Sequence, residues 1–407
     1  MHILIIPSWY RASAEDTQGS FFREQALALA KHGCQVGVIY PQHRSMRQWQ
    51  SVFSGLYGFA EENDRGMPTL RMHGMTWFPK QIPYANYLIW IHSGFKLYRR
   101  YVEKYGRPDV IHAHGLLYGG LLAWRIKALE RTPFVVTEHC TAYMRGLFAW
   151  WELRLAAQAA QAADRRFAVS DAFAQQMVGF LGEAAGRWET FPNVVNRRFT
   201  SYPLSPTNAL SKTASSPFTF INVAYLTNQR KGIHTLITAF AETFKGDLTT
   251  RLKIGGDGKE RPRLESLAQT LGIAEQVTFL GALDRDQVRV NMAESDVFVL
   301  ASRYETFGVV IIEALALGKP VIATRCGGPD RVVREQDGLL VPPDDVTAMA
   351  GALRQMRDRH HSYDAVKIRQ SCIERYGEAA IAQRLRAVYA DVMGHEYRQQ
   401  KAAAISL

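Results

Sequence analysis

The sequence predicts an α/β protein made of two doubly wound domains, each built on a mostly parallel sheet. Three observations lead to this expectation. The chain of 407 residues is longer than one hydrophobic core ordinarily serves. Short apolar runs alternate with longer helix-period stretches almost throughout, the pattern of strands joined by crossover helices. A segment without periodicity at 203–217 (PLSPTNALSKTASSP), rich in Pro, Ser and Thr, divides the alternation into two series.

In the first series, strands are expected at 3–6, 36–39, 110–113, 134–137 and 166–170. Helices fall between them, for example 21–32, closed by Gly33. In the second, strands are expected at 219–224, 251–255, 277–280, 297–300, 320–324 and 338–341. Helices at about 232–245, 260–271, 284–294, 308–317 and 345–358 separate them. The expected domains are 1–202 and 218–377 with 203–217 as linker, and a last helix near 378–395 packing back on the first domain. Ligands of such sheets approach the carboxyl ends of the strands.

Composition narrows the function classes. Hydrophobic residues make up 47% and charged residues 21%, as in soluble globular proteins. No apolar run reaches the roughly 18–20 residues a membrane span needs; the longest, near 84–95, is broken by Asn86, His92 and Ser93. MHILIIPSWY reads as a first strand and not as a signal peptide. Cys34, Cys140, Cys326 and Cys372 lack zinc or redox spacing, which fits a reduced, cytoplasmic setting. The net charge of +11 is uneven, with 23 basic against 15 acidic residues in 1–200. That surplus suits an anionic partner, or is simply a basic solvated surface.

The strongest local signal is SRYETFGVVIIEALALGKP, from Ser302 to Pro320. An apolar strand runs into a loop holding Glu305, and Gly308 opens a helix bearing Glu313. Unpaired amides at a helix start suit a phosphate, and flanking carboxylates accept hydrogen bonds from sugar or ribose hydroxyls. Read alone, Glu305 could equally cap the helix while Glu313 makes a surface ion pair. A second element, AYLTNQRKG from Ala224 to Gly232, joins a strand to a helix and carries Arg230 and Lys231. A cation there can neutralise charge on a departing phosphate.

In the first half, VVTEH ends a strand with Glu138 and His139, and an imidazole there can donate to a phosphate or sugar hydroxyl. His112 and His114 (DVIHAHG) alternate as zinc ligands can, but no third ligand is evident, so no metal site is expected. The segment 7–19 joins the first strand to the first helix and ends on Gly19. No GxGxxG follows that strand, which excludes the dinucleotide fingerprint. Asp284-Arg-Asp286 imitates a metal-binding Asp-x-Asp, yet its place before a helix reads as a cap. Two basic aromatic stretches, 84–105 and 144–155, have the mixture found in interfacial helices, or else are core and acceptor-site residues.

Taken together, LKIGGDG, VTFLGAL, DVFVLASRYETFGVVIIEALALGKPVIAT and GGPDRVV resemble glycosyltransferase family 4, the retaining GT-B enzymes with a Glu-x7-Glu element. The resemblance covers nearly the whole chain and is densest over 220–343. It implies two Rossmann-like domains facing each other across a cleft, with the acceptor on the first and a nucleotide sugar on the second. On this resemblance Glu305 hydrogen-bonds the donor sugar, and backbone amides of Phe307, Gly308 and Val309 meet sugar and phosphate oxygens. Glu313 takes the ribose, Leu280 to Leu283 line the base, and Lys231 meets the diphosphate. The family arginine six residues before that lysine is Tyr225 here, which leaves Arg230 as the candidate second cation. His139 approaches the donor sugar, His114 and Glu138 lie on the acceptor side, and Gly19 lets the first loop approach the reaction centre, although the family's two-glycine form is absent.

The implied activity is transfer of a hexose, with retention, from a nucleoside diphosphate sugar to a hydroxyl acceptor such as a lipid-linked or polysaccharide intermediate. His139, Lys231 and Glu305 would carry the chemistry without metal or other cofactor. The implied location is cytoplasmic, at the inner face of the membrane, with an anionic lipid surface as partner and no nucleic acid. The competing class is a catalytically weak scaffold that binds membrane or nucleic acid through its basic half.

Overall fold

The structure is a computed structural model that describes residues 1–11, 19–46, 57–79, 82–204 and 216–405, with 395–405 as backbone alone. It consists of two compact units, Met1–Pro192 with Ile381–Leu407, and Asn193–Ala380.

In the first unit, the described residues form a sheet of eight strands. These are β1 (His2–Pro7), β2 (Gln35–Ser45), β3 (Gly58–Asp64), β4 (Met67–Thr76), β5 (Val110–His114), β6 (Phe134–Glu138), β7 (Arg165–Ala168) and β8 (Glu189–Thr190). Their order is β3-β4-β2-β1-β5-β6-β7-β8, parallel except for the β3–β4 pair. β1, β5 and β6 are buried at every residue, as strands covered on both faces must be. The winding reverses between β1 and β5, the position at which sheets of this kind bind ligands beyond the carboxyl ends of their strands. Ser8 ties the loops leaving these two strands together. Its N–H donates to the His114 carbonyl at 2.8 Å and its hydroxyl to the Gly115 carbonyl at 3.2 Å.

The β3–β4 hairpin and the long β2 were not expected from sequence. Pro41, Pro68 and Gly74 interrupt strand patterning, and β3 is a polar edge strand with little apolar alternation. The available signal was the turn Asn63-Asp-Arg-Gly66, where Arg65 and Gly66 take φ of 55° and 88° and the Asn63 side chain accepts from the Gly66 N–H at 2.6 Å.

The second unit holds, among its described residues, six parallel strands. They are β9 (Phe218–Val223), β10 (Thr250–Gly255), β11 (Val277–Gly281), β12 (Val297–Leu300), β13 (Val321–Thr324) and β14 (Gly338–Val341), in the order β11-β10-β9-β12-β13-β14. Helices Ile233–Phe244, Arg261–Thr270, Arg285–Glu294, Val309–Ala316 and the short Pro329–Val332 lie between successive strands, and Val346–Arg359 follows β14. Here the winding reverses between β9 and β12, which pair at only two positions, Phe220 with Val297 and Ile221 with Phe298. The Asn222 amide then bridges to the Val299 carbonyl at 2.8 Å where the strands part.

The passage between units falls at Pro192–Asn193, earlier than the expected boundary at 202. Residues 193–204 belong to the second unit because the Val195 N–H donates to the Tyr376 carbonyl at 2.8 Å and Arg369 binds the Thr200 and Tyr202 carbonyls. Most of the expected linker, 205–215, lies outside the described residues, as do 12–18 of the first loop. The final helix Glu378–Ile405 enters the first unit at Ile381, where Ile381, Ala382, Leu385 and Tyr389 are buried. The Tyr389 hydroxyl meets His112 Nδ1 at 2.6 Å, while Thr137 meets Nε2 at 2.8 Å.

Burial lowers the His112 imidazole from its usual 6.5 to about 3. The unfolded chain therefore binds a proton below about pH 6.5 that the folded chain refuses. Stability is complete above that pH and falls as pH drops through the window from 6.5 toward 3. Urea unfolding is expected to give about 2 kcal/mol less stability at pH 5 than at pH 7 from His112 alone, and His112→Gln should remove that part of the slope.

Candidate active site

The reversal point of the second sheet gathers the candidate groups. After β9 the chain turns through Gln229–Lys231 and enters helix Ile233–Phe244 at Gly232. A Cβ on Gly232, whose φ is 63°, would lie 1.8 Å from the Ala301 carbonyl oxygen at the end of β12. The missing side chain lets the two loops approach. The Arg303 N–H closes the contact by donating to the Arg230 carbonyl at 2.8 Å.

After β12 the loop to helix Val309–Ala316 is held from below. The Glu305 N–H donates to the Cys326 carbonyl at 3.1 Å, and the Gly328 N–H returns to the Glu305 carbonyl at 2.9 Å. The backbone fixed in this way presents the Glu305 carboxylate to Lys231, with Nζ 2.5 Å from Oε1. The Ser302 hydroxyl donates to the same oxygen at 2.8 Å. Burial, the largest influence, pushes the Glu305 carboxyl up, but the Lys231 charge and hydrogen bond, Ser302 and then Arg230 together outweigh it and hold it below the usual carboxylate range. Glu305 is thus an anion at neutral pH, suited to accept hydrogen bonds.

Gly308 begins the next helix with φ of 88°, and no side chain caps it. Among the described residues no side chain accepts from the opening amides of that helix, which lie at the positive end of its dipole, beside a lysine. Glu313, one and a half turns on, has no exposed surface. One of its oxygens binds the Arg285 guanidinium and the other finds no hydrogen-bond partner among the described residues. Burial raises this carboxyl, and Arg285 only partly counters it.

In the first unit, His114 ends β5 and His139 follows β6, and the two meet through Nδ1 and Nε2 at 3.1 Å. Helix Ser20–Lys31 covers them with Phe21 and Phe22; the Phe22 ring stacks on His114 with centroids 4.5 Å apart. Gly19 begins that helix at φ 65°, and a Cβ there would press on Phe22 and the Trp9 carbonyl at 3.0 and 3.1 Å.

These motifs coincide with two family profiles. Residues 210–375 match the glycosyl transferases group 1, and 18–199 match Glycosyltransferase Family 4. The chain belongs to glycosyltransferase family 4. A 129-residue stretch is 41% identical to the lipopolysaccharide core biosynthesis glycosyltransferase LpsE of Rhizobium meliloti, covering 31% of this chain and 36% of that protein. A 267-residue stretch is 31% identical to a D-inositol 3-phosphate glycosyltransferase of Corynebacterium urealyticum, covering 61% and 63%. The aligned stretches thus span less than two-thirds of either relative. Among solved structures, sucrose-phosphate synthase from Thermosynechococcus elongatus superposes with TM-score 0.73 at 25% identity over 99% of this chain and 100% of that one. Anabaena HepE in complex with UDP does so with TM-score 0.70 at 20% identity over 96% and 100%, a likeness of fold. The fold is GT-B, with two Rossmann-like domains.

Against the family expectation, the structure gathers Lys231, Glu305, Phe307, Gly308 and Val309 at one strand junction. Leu283 lies against the end of β10, where a Cβ on Gly255 would come 2.7 Å from its Cδ1, and Leu280 lies in β11. Tyr225, at the family arginine position, is 66% exposed. Arg230 lies over the Tyr304 ring at 5.1 Å, beside Glu305. Asp284 does cap its helix, accepting from Asp286 and Gln287.

Two of the expected site residues have partners within the structure. The buried carboxylate of Glu138, expected on the acceptor side, accepts from the Leu116, His139 and Cys140 amides at 2.8 Å each and so organises the loop. Glu313, expected at the ribose, is bound through one oxygen by the Arg285 guanidinium. Arg285 escaped the sequence reading because it meets Glu313 across two helices, and its only signal was its place one residue past a cap.

Gly232→Ala should cost about 1–3 kcal/mol in urea unfolding, since it adds strain in the left-handed region to a backbone clash. Gly246, with similar φ of 84° and open space around it, should cost visibly less on the same substitution.

Proposed function

We propose that this chain transfers a hexose from a nucleoside diphosphate sugar to a hydroxyl acceptor, with retention at the anomeric carbon and no metal ion. The observation that carries the reading is the Lys231–Glu305 pair beside the uncapped start of helix Val309–Ala316, at the reversal point of the sheet. A diphosphate laid against those amides gains the dipole and the Lys231 ammonium, both of which stabilise charge as the glycosidic C–O bond breaks. Glu305, ionised and anchored through one oxygen, accepts from donor-sugar hydroxyls. Glu313 reaches the ribose once Arg285 moves aside, and its unpartnered oxygen is the natural acceptor. The acceptor hydroxyl attacks the anomeric carbon from the leaving-group side, and its proton passes to the departing diphosphate. The structurally similar HepE is known in complex with UDP, which supports a nucleotide of this class.

Variants Glu305→Gln and Lys231→Ala should lower turnover by about a hundredfold or more. Assay of sugar-nucleotide turnover, with melting curves showing intact folding, checks this; near-normal rates in both would overturn the assignment. NMR of the product should show the anomeric configuration of the donor, and an inverted product would end the retention claim.

The acceptor is proposed to be a lipid-linked or polysaccharide intermediate, reached from an anionic membrane face. Trp77, Leu88 and Trp150 are 54%, 62% and 72% exposed, and Tyr84 packs on Trp151 at 5.0 Å, joining the starts of helices Ala85–Tyr105 and Trp150–Ala162. Arg99, Arg100, Arg145 and Arg154 are exposed on the same two helices or the loop before the second. Such apolar and basic mixtures favour an interface. No described helix is long and apolar enough to cross a membrane. Arg99→Glu/Arg100→Glu should weaken co-sedimentation with anionic vesicles severalfold at low salt, whereas unchanged, salt-insensitive binding would contradict this surface.

A further inference from the structure

The carboxylate proposed to hold the nucleotide's ribose is already engaged within the chain. Glu313 has no exposed surface; the Arg285 guanidinium binds one of its oxygens, and the other has no hydrogen-bond partner among the described residues. The two side chains come from different helices, Arg285–Glu294 and Val309–Ala316. Asp286, the acid next to Arg285, pairs instead with Arg198 at 3.2 Å and Arg289 at 3.3 Å.

The partners are not equally fixed. Helix Arg285–Glu294 is pinned at its start by a capping box. Asp284 accepts from the Asp286 and Gln287 amides at 2.8 Å each, and the Gln287 side chain accepts from the Asp284 N–H at 2.9 Å. The Arg285 backbone is held there, so its side chain is the part that can move. That side chain keeps 24% of its surface in water, and its guanidinium lies over the Phe199 ring at 5.2 Å. Outward rotation moves the charge along this ring into solvent, while Glu313 stays enclosed. A buried carboxylate that loses its cation is stranded unless other donors replace it, and the two ribose hydroxyls are such donors.

We infer that Arg285 is a product-release residue, which competes with the nucleotide's ribose for Glu313. While the sugar nucleotide is intact, the contacts of its sugar with Glu305 add to those of the ribose and phosphates. Transfer removes the sugar, and the nucleoside diphosphate left behind meets the returning guanidinium with fewer contacts to hold it. The closed pair weakens the affinity for the nucleotide in proportion to the fraction of chains that are open. This inference rests on the proposed ribose role of Glu313.

Calorimetric titration of the full chain with uridine, guanosine and adenosine diphosphates, and with inorganic pyrophosphate, tests it. Arg285→Gln leaves a weaker, neutral competitor and Arg285→Leu leaves none. Each should tighten the Kd of the nucleotide that binds by about fivefold or more, and keep that of pyrophosphate, which carries no ribose, within about twofold. Glu313→Gln should weaken the nucleotide by about tenfold. A nucleotide Kd unchanged or weaker in both Arg285 variants, with Glu313→Gln still weakening it, overturns the release role alone. Equal tightening of pyrophosphate does so too, since the effect would then lie at the phosphates. If no nucleotide binds the unaltered chain, or Glu313→Gln binds as the unaltered chain does, the ribose role of Glu313 fails and the inference with it. Melting curves show which variants are folded; should Arg285→Leu not fold, Arg285→Gln, which keeps a donor on Glu313, decides.

Discussion

The second unit is organised around one constraint, a carboxylate and an ammonium held 2.5 Å apart where two adjacent strands part company. Taking either charge into a partly buried site alone is costly, and breaking such a pair leaves the other uncompensated. The pair is tolerated because the backbone has been arranged for it. Gly232 lets its loop sit against Ala301, and Cys326 and Gly328 clamp the Glu305 peptide from the other side. A Cβ on Gly328 would come 2.4 Å from Phe307 Cα, so the clamp also requires a bare backbone. The result is a fixed anion and a fixed cation next to helix amides that no described side chain caps, an arrangement that orders charge before any substrate arrives.

The two halves use the same topology for different chemistry. Each sheet reverses its winding once, between β1 and β5 and between β9 and β12, and each gathers its candidate residues there. In the second unit the reversal collects charges and helix dipoles. In the first it collects neutral rings, with His114 stacked on His112 and Phe22 and bonded to His139. Glu138 belongs to this frame, since three backbone amides converge on its carboxylate. Its burial serves the loop that positions His139.

Much of this was legible in the sequence, and the exceptions have physical reasons. β12 and β14 run over the residues expected for them, because central parallel strands are continuous apolar runs bounded by turn residues. The Lys231 and Glu305 loops were legible because each sits directly after such a strand. The β3–β4 hairpin was not, since an exposed edge strand has no apolar signature. Arg285 over Glu313 and His114 on His139 are contacts between elements distant in sequence, fixed by packing and not by spacing. The passage at Pro192 was misplaced for a similar reason, because carbonyls of 200–202 are claimed by Arg369, far along the chain.

The central claim is that Lys231 and the start of helix Val309–Ala316 form a diphosphate cradle. A crystal structure with a bound nucleoside diphosphate, chosen from uridine, guanosine and adenosine forms by calorimetry, tests it most directly. The account predicts phosphate density within hydrogen-bond distance of the Phe307–Val309 amides and Lys231 Nζ, with ribose at Glu313 and Arg285 displaced. Phosphates bound elsewhere, or ribose bound while Arg285 still covers Glu313, would contradict it.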